Sequence, residues 1–334
     1  MIGPSRHGNH VGLSPTMAEL ARIGACCSAM RYRTREAGDS GGSLMKIGRR
    51  VLLTTAALTV AIVATARAHT MYLKLESFFL EPNSTNVVAL FNGDFDESEN
   101  HITRDRMLDV SIVGPDGVVH PPTEAWRDTA MFHWHADSVD TALLTFETGS
   151  AGTYTIGVST AARVIPLTGP EFNDYLVHEG LVDEIAQREA AGKTNDDAAE
   201  RYSKHVKAIV QVGDERSGEW AEELGYPVEI IPLQNPYDLV VGDELQVRFL
   251  RAGEPVENAL LYANYEFNPH SHDDTGAHNE AVEVRTDGDG VATIPLVGGG
   301  RWYIRTIHMV ETPSEPDLDY ESNWATLTFQ IRGG

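Results

Sequence analysis

The residue with the most chemistry to offer is the histidine directly behind Ala66-Arg67-Ala68, because a small-x-small cleavage site there would make His69 a new N-terminus. A free α-amino group has a pKa of ~7.7–8.0, low enough to release its proton to a metal near neutral pH. The amine and the imidazole Nδ1 of the same residue then close a chelate ring on one ion. A second histidine elsewhere completes a T-shaped histidine brace, a nitrogen set that suits Cu2+ or Ni2+. Three other groups supply imidazoles. "MFHWHAD" puts His133 and His135 on one face of an extended strand, since side chains alternate. "NPHSHDDTGAHNE" gathers His270 and His272 with Asp273, Asp274 and His278 in a loop, and "RTIHMVE" sets His308 beside Met309 near a strand end. The plainer alternatives are an amphipathic strand around Trp134, a polar hairpin tip at 270–278, and a structural His308.

The chain offers little else that is reactive. Both cysteines, Cys26 and Cys27, precede the cleavage site, so the remaining chain has no thiol nucleophile and any metal there takes nitrogen or oxygen ligands. Met71 and Met309 each add a thioether. Past that site there is no Gly-x-Ser-x-Gly, phosphate-cradling glycine loop or His-Glu-x-x-His. A binding protein, not an enzyme, is the expectation. The whole chain carries −23. Residues 1–68 hold nine Lys/Arg against three Asp/Glu, so the remainder stands at −29. Such a surface disfavours nucleic acid and anionic lipid, and it attracts cations.

The export signal frames the domain organisation. Met45-Lys46-Ile47-Gly48-Arg49-Arg50 is a basic start, and Val51 to Ala64 is an apolar run of about 14 residues, shorter than the ~20 of a membrane span. We expect translation from Met45, a signal peptide over 45–68 cleaved after Ala68, an untranslated leader over 1–44, and a periplasmic product. No later segment reads as membrane-spanning.

From Met71 to about Ala162, short period-two segments such as "NVVALF", "LDVSIV", "LLTFET" and "YTIGV" predict strands, with turns at 114–117 and 149–152. Residues 170–211 change character. "EFNDYLVHEGLVDEIAQREAAGK" predicts one helix and "DDAAERYSKHVKAIVQ" a second, capped by Asn195-Asp196-Asp197, with Tyr202, Val206 and Ile209 at helical spacing. His178 and His205 read there as surface or packing residues. Strands return over 226–331, and Asp287-Gly288-Asp289-Gly290 is a hairpin signal. The expected fold is mainly β: two immunoglobulin-like β-sandwich domains, 69–165 and 226–334, joined by a two-helix insert and linker over 166–225.

Several of these stretches carry a family resemblance. "AHTMYLKLESFFLEP", "FNDYLVHEGLVDEI", "ERYSKHVKAIVQVG", "VEIIPLQNPYDLVVGDELQVRFLRAGEPVENALLYA" and "TDGDGVATIPLVGGGRWYIRTIHMVE" together resemble the domain of unknown function 4198 family, exported bacterial proteins of which some accompany nickel uptake. The resemblance spans nearly all of 69–331. It implies a periplasmic metal-binding or metal-delivery protein serving a membrane transporter, with His69 as a ligand and His308 as its partner. The C-terminal half also resembles transthyretin-like sandwich modules. Family members start His-Asp or His-Glu with a tryptophan nearby, whereas this chain runs His69-Thr70-Met71-Tyr72, so the resemblance does not fix the metal as Ni2+ or Cu2+. Two other functions remain open at this point: a metal-free binding module for polysaccharide or a partner protein, and a histidine-brace copper oxygenase using Trp126, Trp134 and Trp302 as a substrate face.

Overall fold

A computed structural model describes residues 69–333, apart from 94, 96, 97, 99, 101, 135–136 and 270–279; the side chains of 123, 128–134 and 137–140 also fall outside the description. The chain begins with β1 (Met71–Lys74), β2 (Phe79–Leu80), β3 (Thr85–Asn92), β4 (Met107–Gly114), β5 (Gly117–Val119) and β6 (Trp126–Trp134). It continues through β7 (Asp137–Glu147), β8 (Gly152–Thr160) and β9 (Arg163–Leu167) to the helices α1 (Gly169–Glu179) and α2 (Val182–Ala190). Strands then resume with β10 (Ala198–Val212), β11 (Val228–Pro232), β12 (Glu244–Arg251), β13 (Glu254–Pro255) and β14 (Leu260–Tyr265). The last are β15 (Val282–Arg285), β16 (Val291–Pro295), β17 (Gly300–Glu311) and β18 (Tyr320–Ile331). The described residues are mainly β with two α-helices, as the strand-dense sequence predicts.

A ten-stranded sheet dominates, in the order β15-β14-β17-β18-β10-β8-β4-β5, with β2 and β9 also pairing with β10. The two β-rich halves of the chain meet edge to edge where β10 runs parallel to β18 over Glu200–Ala208. A smaller sheet holds β1-β3-β7-β6, and a third holds β11, β12, β13 and β16. One apolar cluster draws on all three sheets: Met71 and Leu73 from β1, Val206 and Val210 from β10, Val247 and Phe249 from β12, Leu327 from β18. Each such buried side chain contributes about 1.5–3 kcal/mol.

Residues 198–212 correct the expected second helix. The segment is a 15-residue strand, not a helix. Its partners explain why: β18 on one side and β9 and β8 on the other take up its backbone hydrogen bonds. Everything from Ser203 to Val212 is buried, as in a central strand covered on both faces. The Tyr202/Val206/Ile209 spacing is therefore coincidental, and tertiary pairing overrides it.

Both helices come instead from the stretch read as one. Thr168 and Glu171 form a reciprocal capping box at the start of α1, and Pro170 occupies its first turn. Gly180 ends α1 at φ 73°, the left-handed conformation in which glycine carries no penalty. Phe172, Tyr175 and Leu176 of α1 then pack with Met309, Tyr320 and Trp324 of the large sheet. A second correction concerns Asp287–Gly290. The turn forms, with Asp287 Oδ1 accepting from Asp289 N and Val291 N at 2.9 Å each. It does not close a hairpin, because β15 joins β14 in the large sheet while β16 joins β12 in the third.

Candidate metal centre

The first strand places His69. Successive carbonyls of a strand point to opposite sides, and the even-numbered ones from Thr70 onward face β3, with Gly93 N donating to Thr70 O at 3.0 Å. The odd carbonyls face the large sheet and meet side-chain donors. Lys204 Nζ donates to His69 O, Thr326 Oγ1 to Met71 O at 2.8 Å, Thr328 Oγ1 to Leu73 O at 2.7 Å, and Arg301 Nε to Leu75 O at 3.0 Å. That row satisfies an edge that would otherwise bury bare carbonyls. It also fixes the strand's register, and so which residue arrives at its end.

At that end is a cavity of about 40 Å3. His69, only 7% exposed, lines it together with Thr70, Tyr72, Gly93 and Phe95. Across it are His178 and Glu179 from the last turn of α1, Glu280, and Arg305 from β17. His178 Nε2 lies 4.0 Å from Glu179 Oε1, and its side chain is 49% exposed while that of Glu179 is 4% exposed. Arg305 binds both carboxylates. Its Nε donates to Glu280 Oε1 at 2.9 Å, and its NH1 lies 3.7 Å from Glu179 Oε2 and donates to Glu179 O at 3.2 Å. Tyr303 Oη donates to the other Glu280 oxygen at 2.6 Å.

Electrostatics follow from this count. Burial works against the charge on Arg305, but Glu280 and Glu179 outweigh it and hold its pKa above the usual guanidinium value. Burial also pushes the Tyr72 phenol up, so it stays neutral. Glu179 and Glu280 thus flank the Arg305 guanidinium in the wall of the cavity.

His308 lies elsewhere. It lines a separate cavity of about 200 Å3 between α2 and the β12 and β17 strands. Glu179 and Arg305 border both cavities and form the partition between them. Burial, then the charge of Arg251, lowers the His308 pKa, and its buried Nδ1 has no hydrogen-bond partner among the described residues. The structure places His69 and His308, the expected pair, in different cavities, and the other histidine lining the cavity of His69 is His178. Of the other expected ligands, His133 falls on β6 opposite Ser138, and its side chain lies outside the described residues, as do His135, His270 and His272 entirely. Among the described residues, no three His, Cys, Asp or Glu side chains converge as a ready metal cage. Met71 is sealed in the core, so it offers no thioether, while Met309 lines the larger cavity. Trp126 and Trp302 are buried, which removes them as an exposed substrate face.

The comparison that decides the family is a match to the model of a domain of unknown function over residues 66–310. The chain belongs to the DUF4198 family. The match opens three residues before His69 and closes just past His308-Met309, leaving β18 outside it. No curated protein matches this DUF4198 chain. Among solved structures it is similar, at 10% identity and a TM-score of 0.18, to the D0-D1 domain of intimin, over 78% of this chain and 97% of that one. A Salmonella alpha-2-macroglobulin mutant gives 10% identity and 0.18 over 78% of this chain and 15% of that one. Escherichia coli alpha-2-macroglobulin activated by porcine elastase gives 10% identity and 0.16 over 80% and 22%. Likenesses this loose carry nothing over to the DUF4198 chain.

Two contributors escaped the sequence. His178 is followed by Glu179-Gly180, a helix end in which an imidazole beside a carboxylate was the available signal. Lys204 gave none, because its segment matched a helical period.

Proposed function

We propose that this DUF4198 protein is an exported, periplasmic binder of a divalent transition metal, Ni2+ or Cu2+, that captures the ion for a membrane transporter. Its ligands are the α-amine and imidazole of His69 after cleavage behind Ala68, with His178 as the second imidazole. The observation that carries this reading is that His69 and His178 line one cavity of about 40 Å3. That volume has room for an ion or a few waters. It is far below the ~300–1,000 Å3 of a site for an organic ligand.

The donor set fits. Two imidazoles and an amine are ligands that Ni2+ and Cu2+ take readily, and no thiolate is required. The amine also answers the lack of a three-side-chain cage, because a backbone nitrogen adds a ligand that no count of side chains includes. Bound metal would be this protein's cargo. The chain's own work is to hold His69 still and to keep Arg305 paired with Glu179 and Glu280.

The test is calorimetric titration of Ni2+ and Cu2+ into protein beginning at His69, with His178→Ala and His308→Ala alongside. His178→Ala should weaken binding at least tenfold, or ~1.4 kcal/mol, with His308→Ala near wild type. The reverse order would move the site to the larger cavity.

A further inference from the structure

Lys204 is a buried lysine whose role the proposed site leaves open. It is 2% exposed, on the central strand β10, and its Nζ donates to His69 O and to Asn92 Oδ1, the latter at 2.8 Å. The Trp324 ring lies 5.1 Å from it. A lysine ammonium loses several kcal/mol on leaving water, so nature rarely buries one without a task. Here the acceptors are chosen narrowly: one is the backbone carbonyl of the residue that cleavage would expose, the other a side chain on the neighbouring strand β3.

Position along the row matters. Thr326, Thr328 and Arg301 hold carbonyls 71, 73 and 75, at the start of β1, within it and just past its end. Lys204 holds carbonyl 69, two residues before the point where pairing of β1 with β3 begins at Met71 and Asn92. An end residue beyond its last strand pair frays unless something ties it down. A strand advances ~3.3 Å per residue, so slack of a single residue would carry the amine out of an ion-sized cavity.

We infer that Lys204 is the positioning residue of the metal site, its buried Nζ fixing the backbone of His69 so that the amine and ring of that residue stay at the cavity. Lys204 touches no metal; it acts through His69, as outer-shell partners act through first ligands. The inference rests on the reading of His69 as the ligand.

The experiment compares Lys204→Met with Thr326→Val, both in protein beginning at His69, by Ni2+ calorimetry and thermal unfolding. Thr326 belongs to the same row but contacts neither His69 nor the cavity. Lys204→Met should weaken Ni2+ binding by about 10–100-fold, the usual cost of an outer-shell lesion. Thr326→Val should lower the melting temperature while keeping the affinity within about twofold. The carbonyl 13C resonance of labelled His69 should shift in Lys204→Met without metal present. Where Lys204→Met does not fold, Asn92→Ala removes one of the ammonium's two anchors and should weaken binding in the same direction. Wild-type affinity in Lys204→Met, or in Asn92→Ala where that variant carries the test, would overturn the inference alone. So would an equal loss in Thr326→Val. Failure of the unsubstituted protein to bind Ni2+ would remove the metal reading itself, and the inference with it.

Discussion

Arg305 donates from Nε to Glu280 at 2.9 Å and, on its other side, lies 3.7 Å from the Glu179 carboxylate, so one guanidinium forms the wall between two cavities. All three side chains are at most 10% exposed. Breaking a buried pair by removing one partner costs about 3–5 kcal/mol, because the remaining charge keeps its desolvation penalty. Arg305→Met should destabilise by that order in urea unfolding. Adding Glu280→Gln should recover part of it, since one of the two carboxylates is then neutral. Full wild-type stability in Arg305→Met would show that the wall does not depend on this charge.

The junction of the two helices offers a backbone test. A Cβ at Gly180 would meet the Tyr262 hydroxyl at 2.5 Å, and the residue holds φ +73°. Tyr262 also donates to Gly180 O at 2.7 Å, which ties the junction to β14. Gly180→Ala should cost at least the ~1 kcal/mol of a left-handed alanine. Calorimetric unfolding would read it, and an unchanged midpoint would contradict the tight approach.

Two buried groups should oppose each other as pH changes. Burial raises the Glu200 carboxyl from 4.5 to about 7 and lowers His205 from 6.5 to about 4. Between pH 4.5 and 7 the folded protein keeps a proton on Glu200 that the unfolded chain releases, so this contribution to stability falls as pH rises. Between pH 4 and 6.5 the unfolded chain binds a proton that folded His205 refuses, so this contribution rises with pH. Each spans on the order of 3 kcal/mol at 1.36 kcal/mol per pKa unit, and they nearly cancel where they overlap. Relative to wild type, Glu200→Gln should gain stability from pH 4.5 to 7, and His205→Gln should lose it from pH 4 to 6.5. Urea midpoints across that range parallel to wild type would contradict both shifts.

The β-rich character was legible because period-two runs such as "NVVALF" and "LDVSIV" bury one or both faces in the way their spacing dictates. The end of α1 was not, although Gly180 splits "VHEGLV" where a left-handed residue belongs. Ala198–Val212 misled because β18, the partner along most of its length, lies more than a hundred residues away, and no local pattern records it. The same distance explains the site. His69 draws attention by its place behind Ala68, but its neighbours His178 and Lys204 reach it only through helix docking and a strand crossing. His308 stands out in sequence and yet faces another cavity, because the partition of Glu179 and Arg305 comes between.

The central claim is that the α-amine of His69 is a ligand, and one extra residue tests it most directly. Ni2+ and Cu2+ would be titrated by calorimetry into protein beginning at His69 and into the same protein carrying one additional alanine in front. The account predicts about one equivalent bound tightly by the first form, and affinity at least ~100-fold lower, or ~2.7 kcal/mol, in the second. Equal affinity in the two forms would take His69 out of the site, and no binding by either would end the metal reading.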